Sequence, residues 1–266
     1  MSDGALESAG AAPGADLWFV TTCMGRLAAL KEALPTFVAQ PKSRVVVVDY
    51  SCPDRAGDWV EAHHPACRVV RVPGQEFFHL SRARNEGFRV VPEDAGWVCF
   101  ADADVCLSPE FAEWVRGRFA PGRFFLVPMG RGNKGLTGLI LASRADVARC
   151  GGFDEGYRNY GRQAAAMRVT LYRMGLAPQY LPAGLARHQE HGDDIRAQHY
   201  RDKDLVRSTI ENSRRLRALI AETERETGEE IPAELCYKES ASELRRTLLA
   251  PVRGAVRRVK RLWLSR

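Results

Sequence analysis

"SRVVVVDY", residues 43–50, places four consecutive valines before an aspartate. A continuous β-branched run with no polar alternation is the pattern of a parallel strand covered on both faces. Outward from it, strand and helix alternate. "DLWFVTTC" (16–23) reads as a buried first strand. "GRLAALKEALPTFVAQ" (25–40) has helical spacing through Leu27, Leu30, Leu34 and Val38, with a kink expected at Pro35. After the turn "SCPD" come a short helix in "RAGDWVEAHH", a strand in "CRVVRVP" (67–73), a helix in "LSRARNEGFRVV" (80–91) and a strand in "GWVCFADADV" (96–105) that runs into acids.

Further on, Ser108, Pro109 and Glu110 give a helix-start signal. Strands are expected over 123–130 and 135–143, then a short helix over 144–152. A longer helix over 163–175 is stopped by Gly175, and "APQYLP" follows as a short strand. From about Tyr200 the chain is charged and helical. This alternation implies a mainly parallel sheet with helices on both faces. Such sheets bind ligands at the carboxyl ends of their strands, at a switch in topology.

The strand ends carry acids. Asp49 closes the valine run, and Asp102 and Asp104 stand one residue apart in "ADAD". Two carboxylates at the mouth of a sheet call for a cation, and hard oxygen ligands suit Mg²⁺ or Mn²⁺, which clamp phosphates. The plainer alternatives are helix capping for the pair and turn capping for Asp49, since "SCPD" is itself a turn. In "RHQEHGDDIR" (187–196), His188 and His191 are spaced i, i+3 beside Asp193 and Asp194, and an imidazole there could join a metal.

The 266 residues, 45% hydrophobic and 27% charged, suit one large α/β domain or a domain with an appendage. "MSDGALESAGAAPGAD" has neither a basic start nor an apolar core, so it reads as a loose tail rather than a secretory signal. No apolar run approaches the roughly 20 residues of a membrane span. The seven cysteines form no CxxC pair, which favours buried, reduced thiols in a cytoplasmic protein. The net charge of +6 is concentrated at the end. Residues 244–266 hold eight Arg or Lys and no acid, with apolar residues near helical spacing. That pattern suits an anionic membrane surface, on the inner face of the membrane. The alternative is a helix packed on its own domain, which Pro251 and Gly254 would interrupt. No nucleic-acid motif is present, so no nucleic-acid partner is expected.

Six segments in order resemble the GT-A nucleotide-sugar glycosyltransferases of the family-2 type, on the galactosyltransferase and chondroitin-polymerase branch. They are "TTCMGRLAALKEALPTFVAQ", "VVVVDYSCPD", "FFHLSRARNEG", "FADADV", "LTGLILASRADVARCGGFDEGYRNYG" and "RHQEHGDDIR", covering about residues 17–200. The resemblance implies a UDP-sugar donor, a glycan or lipid-linked acceptor, and Mn²⁺ or Mg²⁺. It puts Thr21 and Asp49 on the nucleoside, Arg84 and Asn85 near the nucleotide, Asp102 on the ribose or metal, and Asp104 and His191 on the metal. The expected organisation is a tail over 1–15, a GT-A (Rossmann-like) domain over 16–200, and a helical extension over 201–266 that ends in the basic segment.

One stretch departs from the family. After "GGFDE" the family usually carries Gly-Tyr/Trp-Gly-x-Glu-Asp-x-Asp-Leu; here "NYGRQAAAMR" (159–168) puts Gln163, Ala164 and Ala166 at the three acidic positions. An amide at Gln163 can orient an acceptor hydroxyl but cannot take its proton near neutral pH. The proton could instead pass to Glu190, Asp193, Glu155 or Asp194. The leaving diphosphate could accept it in a retaining transfer. The protein could also be a nucleotide-sugar-binding pseudoenzyme or partner subunit, or the chain could carry substitutions made to trap a complex.

Overall fold

The computed structural model describes residues 16–128, 133–190, 195 and 197–236. Its centre is a seven-stranded sheet. The strands are β1 (Leu17–Cys23), β2 (Ser43–Asp49), β3 (Arg68–Arg71), β4 (Trp97–Phe100), β6 (Arg123–Leu126), β7 (Ile140–Ser143) and β8 (Ala177–Tyr180), in the order β3-β2-β1-β4-β7-β6-β8. Only β7 runs against the others; it pairs antiparallel with both β4 and β6. A two-stranded ribbon of β5 (Val105–Leu107) and β9 (Ala186–His188) stands apart from this sheet. The expected strand over 96–105 is therefore two strands with the acids between them, and the strand expected over 135–143 begins only at Ile140, after a 3₁₀ turn at Lys134–Leu136.

The valine run decides both faces, because successive side chains point to opposite sides of a strand. Val45 and Val47 join Phe19, Trp97 and Cys99 on one face. That face is covered by α1 (Leu27–Val38), α2 (Ala56–His63) and α4 (Phe111–Arg116) through Leu30, Phe37, Val60 and Phe111. Val46 and Val48 join Val20, Val98 and Phe100 on the other. There α3 (Leu80–Arg89), α5 (Arg144–Arg149), α6 (Gln163–Arg173) and α7 (Leu205–Thr227) contribute Ala83, Val147, Met167, Val169 and Leu216.

Helix α1 continues through Pro35, near its end, where the loss of one N–H removes a single helical hydrogen bond. Helix α3 lies unusually close to the sheet at Gly87. A Cβ there would fall 2.5 Å from Val20 Cγ1 and 2.8 Å from Val48 Cγ2. The close approach carries Arg84, one turn earlier, over the carboxyl ends of β1 and β4. Helix α7, expected as a charged extension, packs against α6. Among the described residues no helix is long and apolar enough to cross a membrane. The basic stretch 244–266 lies outside the described residues.

Candidate active site

The strand order reverses at β1, which has β2 on one side and β4 on the other, both parallel to it. A crevice opens between such strands at their carboxyl ends. The segments that leave them are Met24–Arg26 after β1 and Ala101–Asp104 after β4.

The two acids of "ADAD" have different surroundings. Asp102 Oδ1 accepts a 2.6 Å hydrogen bond from Arg84 Nη2, which also donates to the Gly138 carbonyl at 3.1 Å. Arg84 is only 1% exposed and its guanidinium lies 4.8 Å from the Phe153 ring centroid. It is a buried cation rather than a solvated helix charge. Asp104 instead faces the β5–β9 ribbon. Its Oδ2 lies 3.5 Å from His188 Nε2 and 3.7 Å from Arg26 Nη2. The ribbon register pairs Val105 with His188, and Gln189 N–H donates to the Asp104 carbonyl at 2.9 Å, which fixes the imidazole opposite the acid. Glycine at 135 makes room, since a Cβ there would fall 2.1 Å from His188 Cγ. His191, Asp193 and Asp194 lie outside the described residues. Among the described residues no three His, Cys, Asp or Glu side chains gather as a metal site.

The two residues expected at the nucleoside differ in their surroundings. Thr21 is fully buried, and its hydroxyl has no hydrogen-bond partner among the described residues. Both Asp49 oxygens accept backbone amides, Oδ1 from Cys52 at 2.8 Å and Oδ2 from Gly57 at 2.7 Å. It thereby ties the turn after β2 to the first turn of α2; a ligand contact would use the remaining lone pairs. Asn85 clamps the segment after α5: its Oδ1 accepts from Phe153 N–H at 2.8 Å, and its Nδ2 donates to the Phe153 carbonyl and to Glu155 Oε1, each at 2.9 Å.

Gln163 begins α6 behind a strained approach, with Asn159 at φ 56°, Gly161 at φ 97° and Arg162 at φ 74°. Its side chain is buried, and its Nε2 donates to the Asn159 carbonyl at 2.7 Å. The amide therefore holds its own loop. The first turn of α6 carries no acid and no side-chain cap. Glu190 is exposed, whereas Glu155 is half-buried beside Asn85.

Two features here had no sequence signal. Arg168, which closes the stretch 159–168 in the Ala-rich helix, is fully buried; Nη2 donates to the Thr137 carbonyl, while Nε and Nη1 have no partner among the described residues. Burial, and then the charge of Arg84, pull its pKa down to about 9. The segment 197–200 folds back over the crevice. A Cβ at Gly25 would meet His199 Nε2, and Tyr200 lies 5.7 Å from the Phe78 ring and 6.1 Å from the Tyr160 ring. Burial first, and the negative charge of Asp102 second, push the Tyr200 phenol well up.

Comparison with known proteins agrees with this architecture. The family described as Glycosyl transferase family 2 matches residues 18–160. No curated protein matches in sequence. Among solved structures, the mannosyltransferase PcManGT of Pyrobaculum calidifontis, in complex with GDP-Man and Mn²⁺, is 18% identical with a TM-score of 0.57 over 81% of this chain and 71% of that one. Residues 1–349 of TarS from S. aureus are 14% identical with a TM-score of 0.57, and the match covers 77% of this chain and 65% of that one. The catalytic domain of Drosophila β1,4-galactosyltransferase 7, in complex with xylobiose, is 12% identical with a TM-score of 0.52 over 76% and 79%. Identities this low establish the shared fold, the mainly parallel GT-A sheet with flanking helices. The family match spans more than half of the sequence, so the chain belongs to glycosyl transferase family 2 and is a glycosyltransferase in fold and family.

Proposed function

We propose that the chain transfers a hexose or N-acetylhexosamine from a UDP-sugar to a glycan or lipid-linked acceptor with the help of Mn²⁺ or Mg²⁺, within the galactosyltransferase and chondroitin-polymerase branch. The reading is carried by the Asp104–His188 pair at the switch point, with Arg26 beside it. A carboxylate just before β5 and an imidazole on the facing strand β9 are donors that suit either cation. Asp104 would hold the ion with His188 or His191, leaving positions for diphosphate oxygens. Bound there, the ion supplies charge stabilisation for the leaving diphosphate. Arg26 adds a second positive group on the same side. Asp102 works through Arg84, keeping that cation in place beneath the crevice.

The acceptor proton is the open step. Gln163 has no basic site, and losing a general base typically costs about 10²–10⁴-fold in rate. Glu155, held half-buried by Asn85, is one carboxylate that could substitute; Glu190 and Asp193 are the other candidates. The second reading is a non-catalytic nucleotide-sugar-binding protein or partner subunit. It is favoured by one observation, that the Gln163 amide is committed to its own loop. UDP-sugar turnover in Mn²⁺, with and without Gln163→Glu, separates the two. Turnover in the native chain supports the transferase. Turnover that appears only with Glu shows a site lacking nothing but its base. Tight UDP binding with no turnover in either form establishes the binding protein, and no UDP binding refutes both. We place the basic stretch 244–266 on an anionic membrane face. Unchanged partitioning to anionic vesicles after its deletion would rule that out.

A further inference from the structure

Two cysteines that the proposed chemistry does not use meet at the neck of the crevice. Cys23 is the last residue of β1, and Cys52 lies in the turn after β2. Their sulfurs are 3.7 Å apart. All seven cysteines are free thiols. Both backbones are held: Tyr50 N–H donates to the Cys23 carbonyl at 3.0 Å, Cys52 N–H donates to Asp49, and Arg55 N–H donates to the Cys52 carbonyl at 3.0 Å. A disulfide needs about 2.05 Å between sulfurs, so side-chain rotation has to close about 1.7 Å.

The pair is also chemically uneven. Gly25 N–H donates to Cys52 Sγ at 3.2 Å. The Cys23 thiol, that amide and the amides of Asp54 and Ala56 together favour a Cys52 thiolate and bring its pKa to about 6 against the opposing effect of burial. The Cys23 thiol is pushed well up, chiefly by its bond to Cys52 and by burial. Elsewhere burial acts alone or dominates, raising Cys67 and Cys150 each to about 11. Cys52 is 7% exposed and Cys23 is fully buried, so an oxidant reaches Cys52 first. An attacking thiolate beside a resolving thiol is the arrangement that reversible oxidation requires.

We propose that Cys23 and Cys52 form a dithiol modification site, closed by a peroxide to an intramolecular disulfide that weakens nucleotide binding. The Cys52 thiolate attacks a peroxide oxygen and the O–O bond breaks. The hydroxide released takes a proton and leaves as water, and Cys52 becomes a sulfenic acid. The Cys23 sulfur then attacks the Cys52 sulfur, its proton goes to the departing hydroxide, and a second water leaves. In sum, two thiols and one hydrogen peroxide give one disulfide and two waters.

Closure reaches the crevice through Gly25 and Arg26. It displaces the sulfur that accepts the Gly25 amide and replaces a thiolate by a weaker, neutral acceptor, and the next residue is Arg26, which faces Asp104. The loop cannot absorb the shift on its outer side, because His199 packs directly against Gly25. The effect on binding rests on the nucleotide site proposed above; the disulfide does not.

The test uses the full chain treated with hydrogen peroxide, then denatured, alkylated and mapped by mass spectrometry. The reduced protein should take seven alkyl groups and the oxidised protein five. The Cys23 and Cys52 peptides should be joined, about 2 Da lighter than their sum, and a dithiol reductant should release them. Cys52→Ser and Cys23→Ala should each abolish the cross-link. Seven alkylated thiols, or over-oxidised Cys52 without a cross-link, would overturn the site. UDP affinity in Mn²⁺ should fall at least tenfold on oxidation of the native chain and stay constant in Cys52→Ser. Equal affinity in both redox forms would overturn the coupling. If the reduced chain binds no UDP, the proposed donor fails while the cross-link is still judged by mass alone.

Discussion

Asp102→Asn tests whether this acid serves the fold or the ligand. The substitution keeps the shape and one acceptor oxygen but removes the charge that faces Arg84 at 2.6 Å. Arg84 is 1% exposed, has an Nη1 without a partner among the described residues, and sits close enough to Arg168 to lower that group's pKa. Neutralising its carboxylate leaves the buried Arg84 cation, with Arg168 near it, without its ion-pair partner. Breaking a fully buried pair typically costs about 3–5 kcal/mol. Here the Asp102 side chain is 32% exposed and Arg84 keeps its bond to Gly138, so the loss should be smaller, about 2–3 kcal/mol. For a domain of this size that lowers Tm by about 4–12 °C. Urea denaturation should show a lower midpoint with an unchanged slope. In an Arg84→Met background the same substitution should be nearly silent, giving a coupling of at least about 1 kcal/mol in a double-mutant cycle. A loss under about 0.5 kcal/mol, or additive effects with Arg84→Met, would refute the assignment. The same assignment requires Asp102→Asn to reduce metal-dependent UDP binding less than Asp104→Asn does; the reverse order would make Asp102 the metal ligand.

Three other outcomes follow from the geometry. Gly138→Ala places a Cβ 2.1 Å from Asp102 Oδ2 and 2.8 Å from Arg84 Nη2, and should cost about 1–3 kcal/mol by overpacking; a melting point equal to the native value would disprove the packing. Asp49→Ala orphans two buried amide donors and should cost about 1–3 kcal/mol in chemical denaturation, whereas a variant as stable as the native chain would free Asp49 for a purely ligand-binding role. His199 has its pKa lowered, first by burial and then by Lys203. A lowered folded pKa means the neutral form is favoured by folding, so the stability it gives is present above about pH 6.5 and is lost as pH falls through the folded value. Stability should therefore drop between pH 7 and pH 5 more steeply in the native chain than in His199→Gln; parallel pH curves would exclude this contribution.

The sheet was readable because its signal is local. Four valines in a row demand cover on both faces, and the two clusters divided by Val45/Val47 and Val46/Val48 supply it. The acids after β4 were readable for the same reason, since a strand end is defined by where the apolar run stops. The antiparallel turn of β7 was not, because pairing direction is set by the path of the chain between strands. The small strand Ala186–His188 escaped notice too: three residues carry no period, and its only support is the pairing with Val105–Leu107.

The sequence by itself determined the parallel core and the positions of Asp49, Asp102 and Asp104 at strand ends, which follow from residue type and spacing along the chain; that Gln163, Ala164 and Ala166 stand where acids are usual is what the resemblance to the family implies. Only the tertiary structure decided what those groups touch. It turned Arg84 inward onto Asp102, set His188 opposite Asp104, committed both oxygens of Asp49 to backbone amides, and brought Cys23 to Cys52 across 29 residues. Burial and partners separated in sequence fix the charge and reach of a polar side chain, and neither is encoded within the local pattern that fixes its strand or helix.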